Sequence, residues 1–345
     1  MNVKTFYLSL LIFVLFFNSC DNNPVEANQN NSLLQINGPT IIYSLIGENQ
    51  IENRVYNSKS DKLLFDDNYI RANVRISPDK KNIVYVKNAT LHPWFGYYSD
   101  GIPTVTVSND MGKTEKELLH SDSSSAFFVD WISSEEIAIS SVESGSPYLT
   151  IVNIDGDVLL RKKAANVYKM YMLPDGEHLV AYNSKEFAVL NVSSYDFQTY
   201  NPSGELSTWQ TPLFTDSTFI LSSYENNGYR LIEFNLSNNS FKKISIKTPY
   251  VRLIFADKTY WVYYNYVENK FELFRNGSQI SSLVLDGYVC DAGLSLINEN
   301  VLYFVGSAGN DESVLIKVDF NSGKVEKLTN HSQNNFIVDY VFYNL

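Results

Sequence analysis

Cysteine is nearly absent from the 345 residues: Cys20 and Cys290 are the only two, so neither a disulfide framework nor a Cys-based zinc site can be built. Positive charge is scarce too. Lys plus Arg number 27 against 38 Asp plus Glu, a formal net charge of −11, and no basic run offers a local exception. Nucleic acid is therefore not an expected partner. No apolar stretch reaches the roughly 20 residues that span a bilayer. Also missing are a Gly-x-Ser-x-Gly elbow, a phosphate loop, a Gly-x-Gly-x-x-Gly turn and the Ser-x-Asp-x-Gly-x-Thr-Trp box of sialidases, which leaves no motif for catalysis or for a cofactor. No cofactor is expected. What the chain has in quantity is apolar and aromatic side chains, 44% and 14% of residues, including 24 Tyr and 21 Phe. Such a composition can fill a large core and does not suit a disordered chain.

The first twenty residues stand apart. One positive side chain, Lys4, precedes a short apolar run from Phe6 to Phe17, and Asn18-Ser19-Cys20 follows. A charged start, a brief apolar segment and a small residue before a cut site describe a secretory signal. The arrangement resembles a bacterial lipoprotein signal of the looser Bacteroidetes type, in which the Cys becomes the lipid-modified N-terminus. That resemblance implies a signal peptide over residues 1–19, lipid attachment at Cys20 and a membrane anchor. An ordinary cleaved signal with an incidental Cys is the alternative. Residues 20–37 are mostly polar and aperiodic and read as a tether, and the folded body spans 38–345.

That body repeats. Ile76-Ser77-Pro78-Asp79-Lys80-Lys81-Asn82-Ile83-Val84-Tyr85 is an apolar residue, a polar turn and an alternating strand, and Leu173-Pro174-Asp175-Gly176-Glu177-His178-Leu179-Val180-Ala181-Tyr182 restates it. Turn anchors at 79, 135, 175, 216, 257 and 298 are 56, 40, 41, 41 and 41 residues apart, the long interval holding an insertion near 89–103. Each unit reads as four short strands, with Asn276-Gly277, Asp155-Gly156 and Ser322-Gly323 as tight hairpin turns. Sustained 3.6-residue apolar spacing is missing, so almost no helix is expected beyond the signal. Four strands per 40 to 45 residues are the mark of a β-propeller. Six units start near 69, 126, 165, 207, 249 and 288. Phe336–Tyr343 supplies an innermost strand that joins strands at 40–46, 51–56 and 62–65 in a seventh blade, since an open ring would leave two bare sheet edges. The expected fold is all-β and seven-bladed, with six blades as the alternative.

The Ile76–Tyr85 segment resembles the repeat of TolB-like propellers, a strand followed by Ser-Pro-Asp-Gly-Lys, and Lys327-Leu328-Thr329-Asn330-His331 resembles that repeat's outer-strand ending. The period covers residues 38–345, but the motif survives in only two or three units. The resemblance implies the fold. It implies little about function, because propellers host unrelated activities.

Candidate functional residues follow from where the strands place them. His120 and His331 fall in loops from an outer strand to the next inner strand. His92 falls in the insertion between a second and a third strand, which opens on the same face, while His178 falls on the other. Metal-dependent lyases that resemble this fold set several His around the channel, but each His here lies in a polar turn and no metal is expected. The insertion itself, Pro93-Trp94-Phe95-Gly96-Tyr97-Tyr98, puts four aromatics in a loop. It is either a recognition element for a partner or a cap that buries its own rings. Asp130, Asp291 and Asp339 fall on inner strands, where they could line a polar channel or accept backbone hydrogen bonds. Cys290 reads as a small buried apolar residue. The expected role is a lipid-anchored module of the cell envelope, at the inner or outer membrane and facing periplasm or surface, that binds an envelope protein or glycan without catalysis. The alternative is a carbohydrate-active enzyme using the His-bearing face.

Overall fold

The computed structural model describes residues 39–344 apart from short connecting segments, the longest of them at 47–50, 99–102, 120–123, 207–212, 246–250 and 332–335. Its strands form seven antiparallel sheets around a ring, and no helix occurs among the described residues. Blade 1 is shared between the chain's two ends: Phe336–Asn344 is innermost, followed outward by Pro39–Ile46, Ile51–Asn57 and Ser60–Leu63. Blade 2 runs Arg71–Ile76, Ile83–Lys87, Thr104–Ser108 and Glu115–Leu119, and blade 3 runs Ser124–Trp131, Glu136–Glu143, Ser146–Asn153 and Val158–Lys163. Blade 4 is Lys169–Met172, His178–Tyr182, Phe187–Asn191 and Phe197–Tyr200. In blade 5 the inner position is split, with Glu205–Leu206 and Leu213–Thr215 both pairing Thr218–Glu225 before Gly228–Asn235 and Ser240–Ser245. Blade 6 is Val251–Ala256, Tyr260–Asn265, Lys270–Arg275 and Ser278–Val284, and blade 7 is Tyr288–Ile297, Val301–Ala308, Glu312–Asp319 and Lys324–Lys327.

The seven-bladed ring and its closure by the tail are as the sequence implies. Pro39 pairs with Asn344 and Ile46 with Phe336. Two details differ. The outer strand of blade 1 is Ser60–Leu63 and not 62–65, because Asn57 accepts from the Ser60 amide at 3.1 Å and turns the chain back at once. The insertion of blade 2 is no plain loop: Thr90–His92 and Gly96–Tyr98 pair as a small hairpin.

Packing explains the ring. Both faces of each blade are apolar, and seven buried clusters each bridge two consecutive blades. Ile42, Val55, Ile76 and Tyr85 join blades 1 and 2, for example, and Tyr43, Tyr303 and Leu315 join blades 7 and 1. Each fully buried Leu or Ile adds about 1.5–3 kcal/mol, so removing a blade exposes two such layers. Register shifts between first and second strands in blades 1, 2, 3, 6 and 7 mark bulges, which sharpen the strand twist that a radial sheet needs.

The 41-residue period has a hydrogen-bonding cause. Asp79 accepts from the Lys81 amide, Asp175 from those of Glu177 and His178, and Asp257 from those of Thr259 and Tyr260. One short side chain thus closes the turn and satisfies donors at the start of the second strand. Blade 3 differs from the sequence reading: Ser133, not Glu135, accepts from the amides of residues 135 and 136. Anchors 216 and 298 lie outside the described residues. A second family of such turns closes the third-to-fourth strand connection, at Asn153, Asn191, Asn235 and Asp319. Because neighbouring strands are antiparallel, both families lie on one face, here termed the turn face. Second-to-third and blade-to-blade connections lie on the other, the loop face. Pro39 and Asn344 both lie on the turn face.

Candidate functional site

The blade 2 hairpin rises on the loop face directly after Lys87, the last residue of its strand. Pro93, Trp94 and Phe95 lie outside the described residues, as do the side chains of His92, Tyr97 and Tyr98. Between blades 1 and 2 sits an ionic and aromatic cluster. The Arg71 guanidinium, entirely buried, donates to Glu115 at 3.0 Å and lies 4.1 Å from the Phe65 ring centroid and 5.1 Å from that of Tyr85. Tyr85 donates its hydroxyl to Glu115 at 2.6 Å, and Lys87 pairs with the other Glu115 oxygen. Burial works to raise the Glu115 carboxyl, but hydrogen bonds from Lys87, Tyr85 and Arg71 outweigh it and hold the group below its usual value. The Lys87 ammonium also lies 4.2 Å from the ring centroid of Tyr69, which is 55% exposed.

Apolar side chains left in water are not spread evenly. Tyr69 in blade 2, Phe336 in blade 1, Val289 in blade 7 and the Tyr266-Val267 turn of blade 6 are all exposed on the loop face, over four consecutive blades. The remaining exposed large apolar residues lie on outer strands, and none of those described sits in a turn of the turn face.

The histidines do not come together among the described residues. His331 turns toward blade 1, its Nε2 3.2 Å from the Tyr43 hydroxyl, which donates to Asp61 at 2.7 Å. Arg54 holds Asp61 from the other side and also pairs with Glu52 at 2.6 Å. Burial, aided by Asp61, pushes the Tyr43 phenol far up, so it stays a hydrogen-bond donor. His178 is on the turn face with Nδ1 2.8 Å from Asp175, within its own turn. His120 lies outside the described residues. No group of three His, Cys, Asp or Glu side chains placed to hold a metal ion occurs among the described residues.

The three inner-strand carboxylates fare differently. Asp130 accepts from the Trp131 amide at 2.9 Å and from the Met172 amide of blade 4 at 2.9 Å, stitching two inner strands together. Asp291 is exposed to water, yet the surrounding protein raises its carboxyl against the pull of the Arg252 guanidinium. Asp339 pairs with Ser44 in the blade 1 ladder, and its side chain lies outside the described residues. Cys290 is buried, its thiol pushed up to about 12, so it carries no thiolate at neutral pH.

Sequence reasoning missed the inner-strand cations. Arg252 donates to the Cys290 and Asp291 carbonyls at 3.1 and 2.7 Å, tying blade 6 to blade 7, and the Trp131 indole donates to the Arg75 carbonyl at 3.0 Å, tying blade 3 to blade 2. For Arg252 the available signal was a charged residue inside an apolar strand, in Val-Arg-Leu-Ile-Phe, whereas the backbone carbonyl of Arg75 leaves none.

No family model and no curated protein matches this chain. Solved structures do. TolB from Acinetobacter baumannii is 11% identical with a TM-score of 0.51, covering 88% of this chain and 66% of its own length. A putative 6-phosphogluconolactonase from Bacteroides fragilis is 13% identical, with a TM-score of 0.56, over 89% of this chain and 98% of that one. Prolyl oligopeptidase B from Galerina marginata is 12% identical, TM-score 0.56, over 86% of this chain and 48% of its own. This chain thus spans just under two thirds of that TolB and about half of the peptidase. At such identities the likeness is one of fold, and the fold is that of TolB and related propellers.

Proposed function

We propose that this propeller is a lipid-anchored binding module of the cell envelope that docks a protein or glycan partner on its loop face, without catalysing a reaction. The observation that carries the reading is the gathering of exposed apolar side chains on that face over blades 6, 7, 1 and 2, beside the hairpin whose sequence holds Trp94, Phe95, Tyr97 and Tyr98. Contiguous exposed apolar surface marks interaction sites. Rigid rings that present aromatic loops suit recognition. The engagement of His331 by Tyr43 and of Asp130 by backbone amides gives those groups structural work.

Site-specific photocrosslinking in intact cells tests it. A crosslinker at Val267 or Phe336 is expected to give a discrete adduct, whereas one at Asp155 or Asp175 on the turn face is not. Adducts from the turn face alone would sink the proposal. The anchor has its own measurement: Cys20→Ala is expected to abolish incorporation of a labelled fatty acid and to release the protein from membranes.

A further inference from the structure

Charge is not spread evenly around the outside of the ring. The outer strands of blades 3, 4 and 5, three neighbours, read Val-Leu-Leu-Arg-Lys-Lys, Phe-Gln-Thr-Tyr and Ser-Phe-Lys-Lys-Ile-Ser, with five cations and no carboxylate. On the outer strands of blades 6, 7, 1 and 2 the charges cancel: Lys324, Lys327, Lys62 and Lys116 stand against Glu326, Asp61, Glu115 and Glu117. Glu143 and Glu233, from strands behind the rim, pair with Arg161 and Lys242. Lys162 and Lys163 meet no carboxylate among the described residues, and the Lys162 ammonium reaches from blade 3 to within 5.5 Å of the Phe197 ring centroid in blade 4. With both glutamates counted, five cations less two carboxylates leave +3 on this arc of a chain whose formal charge is −11. The same rims leave Val158 53%, Leu159 43% and Phe241 39% exposed. In blade 3 the register slips between Ile151 and Val152, which leaves Leu159 without a ladder partner and blunts that edge against an incoming strand.

We infer that this arc rests on the anionic headgroups of a lipid bilayer, so that the ring stands edge-on to the membrane with blade 4 lowest. A bilayer suits the arc because the outside of the ring is convex and its cations stand on separate blades, which matches a broad sheet of negative charge and not a single acidic group. Each Lys or Arg near an anionic leaflet adds its own attraction. Val158, Leu159 and Phe241 supply the apolar contact that interfacial binding also uses. Residues 21–38 lie between Cys20 and the first strand, and a chain of that length spans up to roughly 60 Å. An anchor at Cys20 therefore lets the rim reach the surface, and for this nearness the inference rests on the anchor proposed above. Edge-on, both the loop face and the turn face stand clear of the bilayer, so the loop face stays open to a partner.

Quenching of a fluorophore by a headgroup-labelled lipid tests the inference on the full chain, with vesicles of phosphatidylcholine alone or mixed with phosphatidylglycerol. The fluorophore is attached at Thr199→Cys on the rim of blade 4 or at Lys62→Cys on the rim across the ring, and Cys290, buried with its thiol pushed up to about 12, stays unlabelled. Phosphatidylglycerol is expected to raise quenching at 199 at least about threefold, and high salt to abolish the rise, with neither effect at 62. Lys162→Glu combined with Lys163→Glu should remove the rise and leave the melting temperature unchanged, since both side chains are exposed. Equal quenching at the two positions, no response to phosphatidylglycerol, or a rise that survives the charge reversal overturns the inference. So does an arc that ignores phosphatidylglycerol and binds polyglutamate, which would assign it to an acidic protein. The anchor is read separately, by flotation with phosphatidylcholine alone. A chain that lacks the anchor yet is recruited by phosphatidylglycerol upholds the rim, and one recruited by neither vesicle overturns it.

Discussion

On the turn face, Asp79, Asp175 and Asp257 each accept from amides two or three residues ahead, and Asn153, Asn191 and Asn235 do the same at the next corner. From the loop-face ends of their strands in blade 2, Arg71 reaches a carboxylate 44 residues away and Lys87 one 28 residues away. The first face is made of repeated local bonds, each replaceable and each worth little. The second is made of few long-range contacts among charged groups cut off from water. Regular turns fix the spacing of the blades and leave the opposite face free to diverge, which is where the hairpin and the exposed apolar side chains are found.

Substitutions can break this contrast. The largest effect is expected from Glu115→Ala, which strands the buried Arg71 guanidinium, and breaking a buried pair in this way costs about 3–5 kcal/mol. Thermal or denaturant melts would measure it. The same residue gives a pH signature. Its carboxyl is held below the ordinary value of 4.5 in the fold, so its contribution is complete above that pH and disappears as pH falls through the lower folded value. Acid titration of stability should show this loss in the parent chain and not in Glu115→Gln.

Next comes Gly306→Ala, at a loop-side position in blade 7. A Cβ there would lie 2.3 Å from the Val289 carbonyl oxygen and 2.9 Å from Ile316 Cδ1, so the ladder must shift, at about 1–3 kcal/mol. Asp257→Ala on the turn face should cost only about 0.5–1.5 kcal/mol, the worth of a local hydrogen bond or two. A loss from Asp257→Ala as large as that from Glu115→Ala would erase the distinction between the faces.

How legible each region was in the sequence follows the same division. Turn residues repeat because each blade needs the same short side chain accepting from its own backbone, so Asp79, Asp175 and Asp257 announced the period. Even there the unit at Ile132 hid its acceptor, since Ser133 does the work two places before the residue that aligns by spacing. Closure of the ring was readable because Phe336–Tyr343 alternates like the inner strand containing Asp130. The next corner was legible as the Asp155-Gly156 and Ser322-Gly323 turns, though not the acceptors Asn153 and Asp319 that close them. By contrast, nothing local joins Arg71 to Glu115 or His331 to Tyr43, 288 residues apart. Such pairs exist only once the ring brings the two strands together.

Ring closure in blade 1 also has a consequence in time. Pro39–Ile46 is among the first strands made, and its inner neighbour Phe336–Asn344 is the last. Three strands of one sheet must therefore wait for nearly the whole polypeptide to be synthesised before their layer against the central hole is complete. Contacts so distant along the chain form slowly. Any helper that shields nascent chains would be needed longest at the N-terminal blade, and a chain cut short by ten residues would leave the ring unlocked at the point where its two ends meet.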